Sequence, residues 1–234
     1  MCFCAEASFG VAIALLPTGG YCMEAAWRKD RRYLFLAVIP ILFGLQQLFE
    51  GVVWVELPRQ NLEMVQAASL MYLFFGIAVW PVWVPFAVAA VEGPGWKRRA
   101  LVALGLLGSL FGIIYYFPLL GGGMPATSVV GHSIRYDFSA VPATDMVPQW
   151  VWPVLYLGSV AGPLMVSRDR RLRVLGVAVI LSAFLTSVVY YSVFASVWCF
   201  FAAALSGYIT HVVCQLPGPT PEIAGTNPRL LPSH

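Results

Sequence analysis

The chain has 234 residues, 59% of them hydrophobic and 11% charged, with a mean hydropathy of +0.78. Soluble domains carry roughly 25% charged residues, so this composition excludes an ordinary soluble globular domain and places most of the chain in a bilayer. The net charge of +3 is small and the basic residues lie in clusters between apolar runs, which argues against a nucleic-acid surface.

The N-terminal MCFCAEASF lacks the basic region and small-residue cleavage site of a signal peptide, so the first apolar run is expected to persist. A helix needs about 20 apolar residues to cross a bilayer. Seven runs reach or approach that length: 7–27, 33–57, 67–91, 100–120, 149–166, 174–194 and 197–216. Barrel strands alternate apolar and polar residues over about ten positions, whereas these runs are apolar all round. The expectation is an all-α polytopic membrane protein, a seven-transmembrane-helix bundle forming one domain over 1–216.

Basic clusters follow the first run (Arg28, Lys29, Arg31, Arg32), the third (Lys97, Arg98, Arg99) and the fifth (Arg168, Arg170, Arg171, Arg173). The positive-inside rule makes those loops cytoplasmic, which sets the N-terminus outside and the C-terminus in the cytoplasm of a bacterial inner (plasma) membrane. Prolines interrupt several runs, and in WPVWVP Pro81 and Pro85 are expected to bend the third span toward the cytoplasmic interface. Gly108 with Gly112, and Gly158 with Gly162, form small-xxx-small patterns that predict close helix approach in the fourth and fifth spans.

The connection 121–148 is the longest and carries His132, Arg135, Asp137 and Asp145. Its ordinary reading is a solvated loop, its functional reading a lid over the outer mouth. The tail 217–234 is proline-rich and is expected to be disordered in the cytoplasm.

The stretch QQLFEG puts Gln46, Gln47 and Glu50 inside the second apolar run. An ionisable residue at membrane depth is costly and is by default a functional-site hypothesis. Glu50 falls about 10 Å below the outer end of its helix at 1.5 Å per residue, with Gln46 one turn deeper on the same face and Gln47 its i−3 neighbour. Thr186 and Tyr190 share a stripe in the sixth run, and Tyr116 ends the fourth. Their convergence would create a polar cavity in the outer half of the bundle, with Glu50, Gln46, Gln47, Tyr190, Thr186 and Tyr116 as ligand or proton contacts. The plainer alternative makes Glu50 a structural clamp bonded to a neighbouring helix.

Cys2, Cys4 and Glu6 fall at the outer mouth, as does Cys199. They could form a disulfide from the N-terminal segment to Cys199, remain free thiols, or ligate a metal together with Glu6 or Glu50. Cys22, His211 and Cys214 fall at one depth on the cytoplasmic side and offer a second N/S ligand set, although buried cysteines usually serve as small apolar groups. The lysines, Lys29 and Lys97, lie in loops, which argues against a retinal Schiff base. Similarly, the placement of His132, His211 and His234 argues against a bis-histidine haem or a three-histidine zinc site. HExxH, GxSxG, CxxC and a phosphate-binding glycine loop are all absent.

MCFCAEASF, QQLFEGVVW, YLFFGIAVWPVWVP and SVWCFFAAALSGYI together resemble a family of polytopic membrane proteins of unknown function that begins MCFSA-x-ASF. The family's motifs fall here on Cys2, on Glu50 with Gln46 and Gln47, and on Trp198-Cys199, while Cys4 departs from the usual serine. The resemblance implies Cys2 with Cys199 as the outer pair. The functional expectation is a small-ligand binding or sensing module, or an accessory subunit of a partner membrane protein. The alternatives are a membrane enzyme with metal or thiol-redox chemistry at Cys2, Cys199 and Glu50, and a proton-coupled transporter or channel.

Overall fold

The structure, a computed structural model, describes residues 4–121, 126–137, 151–189 and 193–217, excluding the side chain of Trp152. Helices follow the seven apolar runs to within a few residues. Six helical stretches are long and apolar enough to cross a membrane: Ala5–Lys29, Arg31–Glu56, Leu62–Val91, Trp96–Leu120, Arg170–Val189 and Phe194–Cys214. Pro153–Val166 is a shorter apolar helix. These long apolar helices fit an integral membrane protein.

Helix α1 (Ala5–Lys29) runs unbroken through Pro17. A short turn, Arg31–Tyr33, leads through α2 (Leu34–Ala37) into α3 (Ile39–Glu56), where Pro40 occupies the first turn and so forfeits no internal hydrogen bond. Next come α4 (Leu62–Leu73), a π-helical turn at Phe74–Val79, α5 (Trp80–Val91) and α6 (Trp96–Leu120). A π-helical turn thus stands just ahead of Pro81, in the span whose WPVWVP stretch is expected to bend. Proline at 81 and again at 85 removes two backbone donors, and the ladder widens instead of simply ending.

Strands β1 (Ala126–Val130) and β2 (Ser133–Asp137) form an antiparallel hairpin in register Val130↔Ser133. Gly131 opens its two-residue loop at φ 61°, a left-handed conformation that favours glycine. Part of the segment expected as a loop or lid is thus ordered β-structure with Ile134 and Tyr136 buried. Helices α7 (Val151–Val166), α8 (Arg170–Val189) and α9 (Phe194–Cys214) complete the bundle.

Close approaches occur where side chains are smallest. A Cβ on Gly108 of α6 would stand 2.1 Å from the Pro81 carbonyl oxygen, and one on Gly112 would stand 3.1 Å from the Ala78 Cα. The first of the two glycine patterns therefore packs as expected. The second makes no such approach to the described residues, none of which lies within 4 Å of a Cβ built on Gly158 or Gly162. Helix α7 instead buries Val160, Ala161 and Leu164, and the close approach to α8 is made by Gly176 against Leu164 and Met165. A small-residue pattern marks where a backbone can approach, and the buried apolar face decides where it does.

The three basic clusters gather at one end of the bundle, hereafter the basic end. There Lys29 Nζ donates to the Cys214 carbonyl, Arg171 to the Val212 carbonyl, Lys97 to the Val166 carbonyl and Arg173 to the Ser167 carbonyl. Cations thus satisfy the orphan carbonyls and favourable dipole ends of α9 and α7. Glu92, buried at the end of α5, accepts from Ser167 Oγ at 2.9 Å and from the Arg168 backbone N–H at 2.7 Å. Asp169 caps α8 by accepting from the Arg171 N–H, and it also accepts the Tyr33 hydroxyl at 2.9 Å.

Candidate functional site

At the opposite half of the bundle α3 and α9 run antiparallel, and the residues of QQLFEG face α9. Gln46 and Gln47 are fully buried and Glu50 is 2% exposed. Glu50 Oε1 accepts from Ser196 Oγ at 2.5 Å, and Oε2 accepts from Gln47 Nε2 at 3.0 Å. One turn toward the basic end, Gln46 Nε2 donates to Cys199 Sγ at 3.4 Å while Gln46 Oε1 accepts the Trp80 indole N–H at 2.8 Å. Gln46 is thus the knot between α3, α5 and α9.

A second layer closes over this network from the hairpin end. The Tyr72 hydroxyl donates to the Ala195 carbonyl at 3.0 Å and also touches the Cys199 thiol. The Tyr136 ring on β2 stacks on Tyr72, with ring centroids 5.1 Å apart. Burial, with the nearby Glu50 carboxylate adding to it, pushes the Tyr136 phenol well above its ordinary range. Gln47 Oε1 and the Tyr136 hydroxyl have no hydrogen-bond partner among the described residues.

On the basic-end side of Gln46 lies a cavity of about 50 Å³ walled by Phe43, Trp80, Tyr156, Val179, Trp198 and Cys199. Phe43 stacks on Trp80 with centroids 3.9 Å apart. The Tyr156 hydroxyl is spent on the Gly76 carbonyl at 2.6 Å, a carbonyl inside the π-helical turn. At about 50 Å³ it is roughly a third of the apolar cavity of about 150 Å³ that accepts benzene, so it suits an occupant about the size of a xenon atom, and its apolar lining leaves it unattractive to water.

The expected polar cavity is therefore revised. Gln47 bonds the acid, but Gln46 turns to Trp80 and Cys199 instead, all three QQLFEG side chains are buried, and the open space beside Gln46 is apolar. Thr186 returns its hydroxyl to the Ser182 carbonyl of its own helix, and the Tyr116 hydroxyl goes to the Leu70 carbonyl, so neither joins Glu50. Both are polar side chains satisfied by local or adjacent backbone, a common fate of hydroxyls in apolar helices. Tyr190 lies outside the described residues.

Cys4, Cys22, Cys199 and Cys214 are free thiols. Cys2, and with it the pairing to Cys199, lies outside the described residues. No three His, Cys, Asp or Glu among the described residues are grouped to hold a metal ion. At the mouth, Glu6 is exposed, Cys4 is half-buried and Cys199 is buried against Gln46, so the Cys4, Glu6 and Cys199 ligand set does not assemble. The set Cys22, His211 and Cys214 likewise does not assemble. Cys22 is buried beside Thr210, while His211 and Cys214 are exposed and His211 bonds Gln215 at 2.9 Å. Equal depth puts the three residues at one level, but His211 and Cys214 lie on the exposed side of α9 while Cys22 is buried.

Sequence reasoning passed over Ser196, Tyr72, Trp80 and Tyr136, although each touches the network or seals it. Ser196 lies three residues before Cys199 and so shares its helix face, a signal present in the spacing. Tyr136 is announced only weakly, by the alternation of Ile134 and Tyr136 after the glycine turn.

No curated protein and no solved structure is similar to the chain. Residues 1–222 match the model of a family of unknown function, DUF6629, and the chain belongs to that family.

Proposed function

We propose that the protein is a seven-span integral membrane module that binds a small apolar molecule in the cavity beside Gln46 and senses its presence through the buried Glu50 network. The reading is carried by the position of Gln46: its two amide atoms bond Trp80 and Cys199, both walls of the cavity. An occupant that displaces either wall disturbs the amide, and the amide sits one turn from the Glu50 to Ser196 link that ties α3 to α9.

Six apolar helices of crossing length support the membrane setting. Helix α7, with 16 residues, extends about 24 Å at 1.5 Å per residue, short of a hydrocarbon core of about 30 Å but serviceable as a seventh span beside longer neighbours. Clustering of the cations supports a cytoplasmic basic end. This orientation puts the N-terminus and the hairpin outside.

The test is saturable quenching of Trp80 and Trp198 fluorescence by pressurised xenon in detergent-purified protein, repeated with Ala202→Phe, which fills the cavity from its wall. A saturable component seen in the native chain and lost in a folded Ala202→Phe variant supports the reading. Identical linear quenching of both overturns it.

A further inference from the structure

A second concavity lies on an exposed side of the bundle at the basic end, where α7 meets α8. It is a groove of about 530 Å³ with Arg170 and Arg173 at one end and Met165, Val174, Val177 and Leu181 along its walls. On α8 these residues recur at intervals of three and four, so charge and apolar wall share one helix face. From Arg170 to Leu181 the face extends about 16 Å at 1.5 Å per residue.

Charge complementarity identifies the occupant. The neighbouring arginines are committed to acids: Arg168 faces Glu92 and Arg171 faces Asp169. Arg170 has no acidic partner among the described residues. Arg173 Nη1 donates to the Ser167 and Arg168 carbonyls, which fixes its guanidinium at the groove's end without neutralising it. Two uncompensated cations in the first turn of α8 sit at the positive end of the helix dipole, where an anion is favoured. Guanidinium groups match phosphate oxygens in geometry. The apolar wall runs away from them in the direction a lipid tail would take.

We propose that this groove binds one anionic phospholipid, its phosphate on Arg170 and Arg173 and an acyl chain along Val174, Val177 and Leu181. The site rests on the membrane setting but shares no residue with the Glu50 network or the apolar cavity. Its failure therefore leaves the xenon result untouched.

The experiment is native mass spectrometry and thermal unfolding of the detergent-purified full chain with phosphatidylglycerol, phosphatidylcholine or inorganic phosphate added. One retained phosphatidylglycerol with a raised unfolding midpoint is expected, neither effect being matched by phosphatidylcholine or by phosphate. Arg170→Gln should weaken retention about fivefold, the contribution of a single cation near an anionic headgroup. Val177→Trp, which blocks the groove, should abolish it while leaving the lipid-free midpoint unchanged. Equal retention of the two lipids, an equal shift with phosphate alone, or native-like retention by either variant overturns the proposal.

Discussion

Ser196 Oγ donates to Glu50 Oε1 at 2.5 Å, joining α3 to α9 between residues 146 positions apart in sequence. The bond is fully enclosed: both residues are buried, and Gln47 takes the other carboxyl oxygen. An acid in that position stabilises the helix pair only while its donors stay paired. Removing the carboxyl strands two donors in an apolar interior, and each unsatisfied buried group carries a desolvation penalty.

Glu50→Ala should therefore destabilise the protein by about 2 kcal/mol, a figure kept moderate because polar contacts in membrane helices are worth less than their burial suggests. Glu50→Gln should cost less than about 1 kcal/mol. Its amide oxygen can accept from Ser196, and its amide N–H can donate to Gln47 Oε1, which has no partner among the described residues, once the Gln47 amide turns over. Thermal unfolding of the two variants in one detergent checks this. Equal losses would show that charge, not hydrogen-bond pairing, holds the site.

Two glycines that look alike in sequence should behave oppositely. Gly108→Ala drives a methyl to 2.1 Å from the Pro81 carbonyl oxygen, a backbone atom that cannot swing aside. Helices α5 and α6 must then separate, and a loss of about 2 kcal/mol is expected, in the range of other overpacking substitutions. Gly158→Ala meets none of the described residues within 4 Å and replaces a poor helix former by the best one, so it should be neutral or stabilising by up to about 1 kcal/mol. Parallel unfolding curves decide it, and a Gly158→Ala variant as damaged as Gly108→Ala would contradict this packing.

The contrast shows where sequence reading succeeds and where it stops. Run length and uniform apolarity mark the long apolar helices, because crossing a bilayer imposes a length that soluble folds do not. Glu50 stands out for the same reason, since an acid in an apolar run has few structural excuses. What surrounds Glu50 depends on helix rotation and pairing, which periodicity leaves undefined when a helix is apolar all round. Periodicity alone therefore does not pick out Ser196 or Trp80, although each bonds a QQLFEG side chain. Thr186 and Tyr116 looked like partners and instead satisfy backbone carbonyls.

The turn between α1 and the helix after it should confer an acid-sensitive increment of stability. Asp30 accepts from the Arg32 backbone N–H at 3.0 Å and from the Arg32 guanidinium at 2.7 Å. Hydrogen bonding from the Arg32 side chain, aided by its backbone N–H and its charge, holds the Asp30 carboxyl below its ordinary range. A depressed acid stabilises the fold fully above its unfolded value, near 3.9 for aspartate, and that contribution disappears as pH falls through its own lower value. Asp30→Asn should thus lower the unfolding midpoint slightly at pH 7, with the gap closing toward pH 3. Asp30 is partly exposed and its partner Arg32 largely so, so salt should narrow the gap as well. A gap that persists unchanged at low pH would show that the carboxylate charge is irrelevant there.

The hairpin should act as a seal over the Glu50 network, and Tyr136 is the residue that tests it. Its hydroxyl has no partner among the described residues, whereas its ring stacks on Tyr72 directly above Cys199. Tyr136→Phe keeps the ring and should be neutral to within about 0.5 kcal/mol. Tyr136→Ala removes a buried aromatic together with its stacking partner's contact and should cost about 3 kcal/mol. It should also open a path to Cys199, a buried thiol in the intact protein. Maleimide labelling makes the path visible in a background with the other cysteines replaced by serine: Cys199 should stay protected in the parent and in Tyr136→Phe but react in Tyr136→Ala. Continued protection in the alanine variant, measured below its unfolding midpoint, would mean that the helices alone exclude water from the site and that the hairpin merely rests on them.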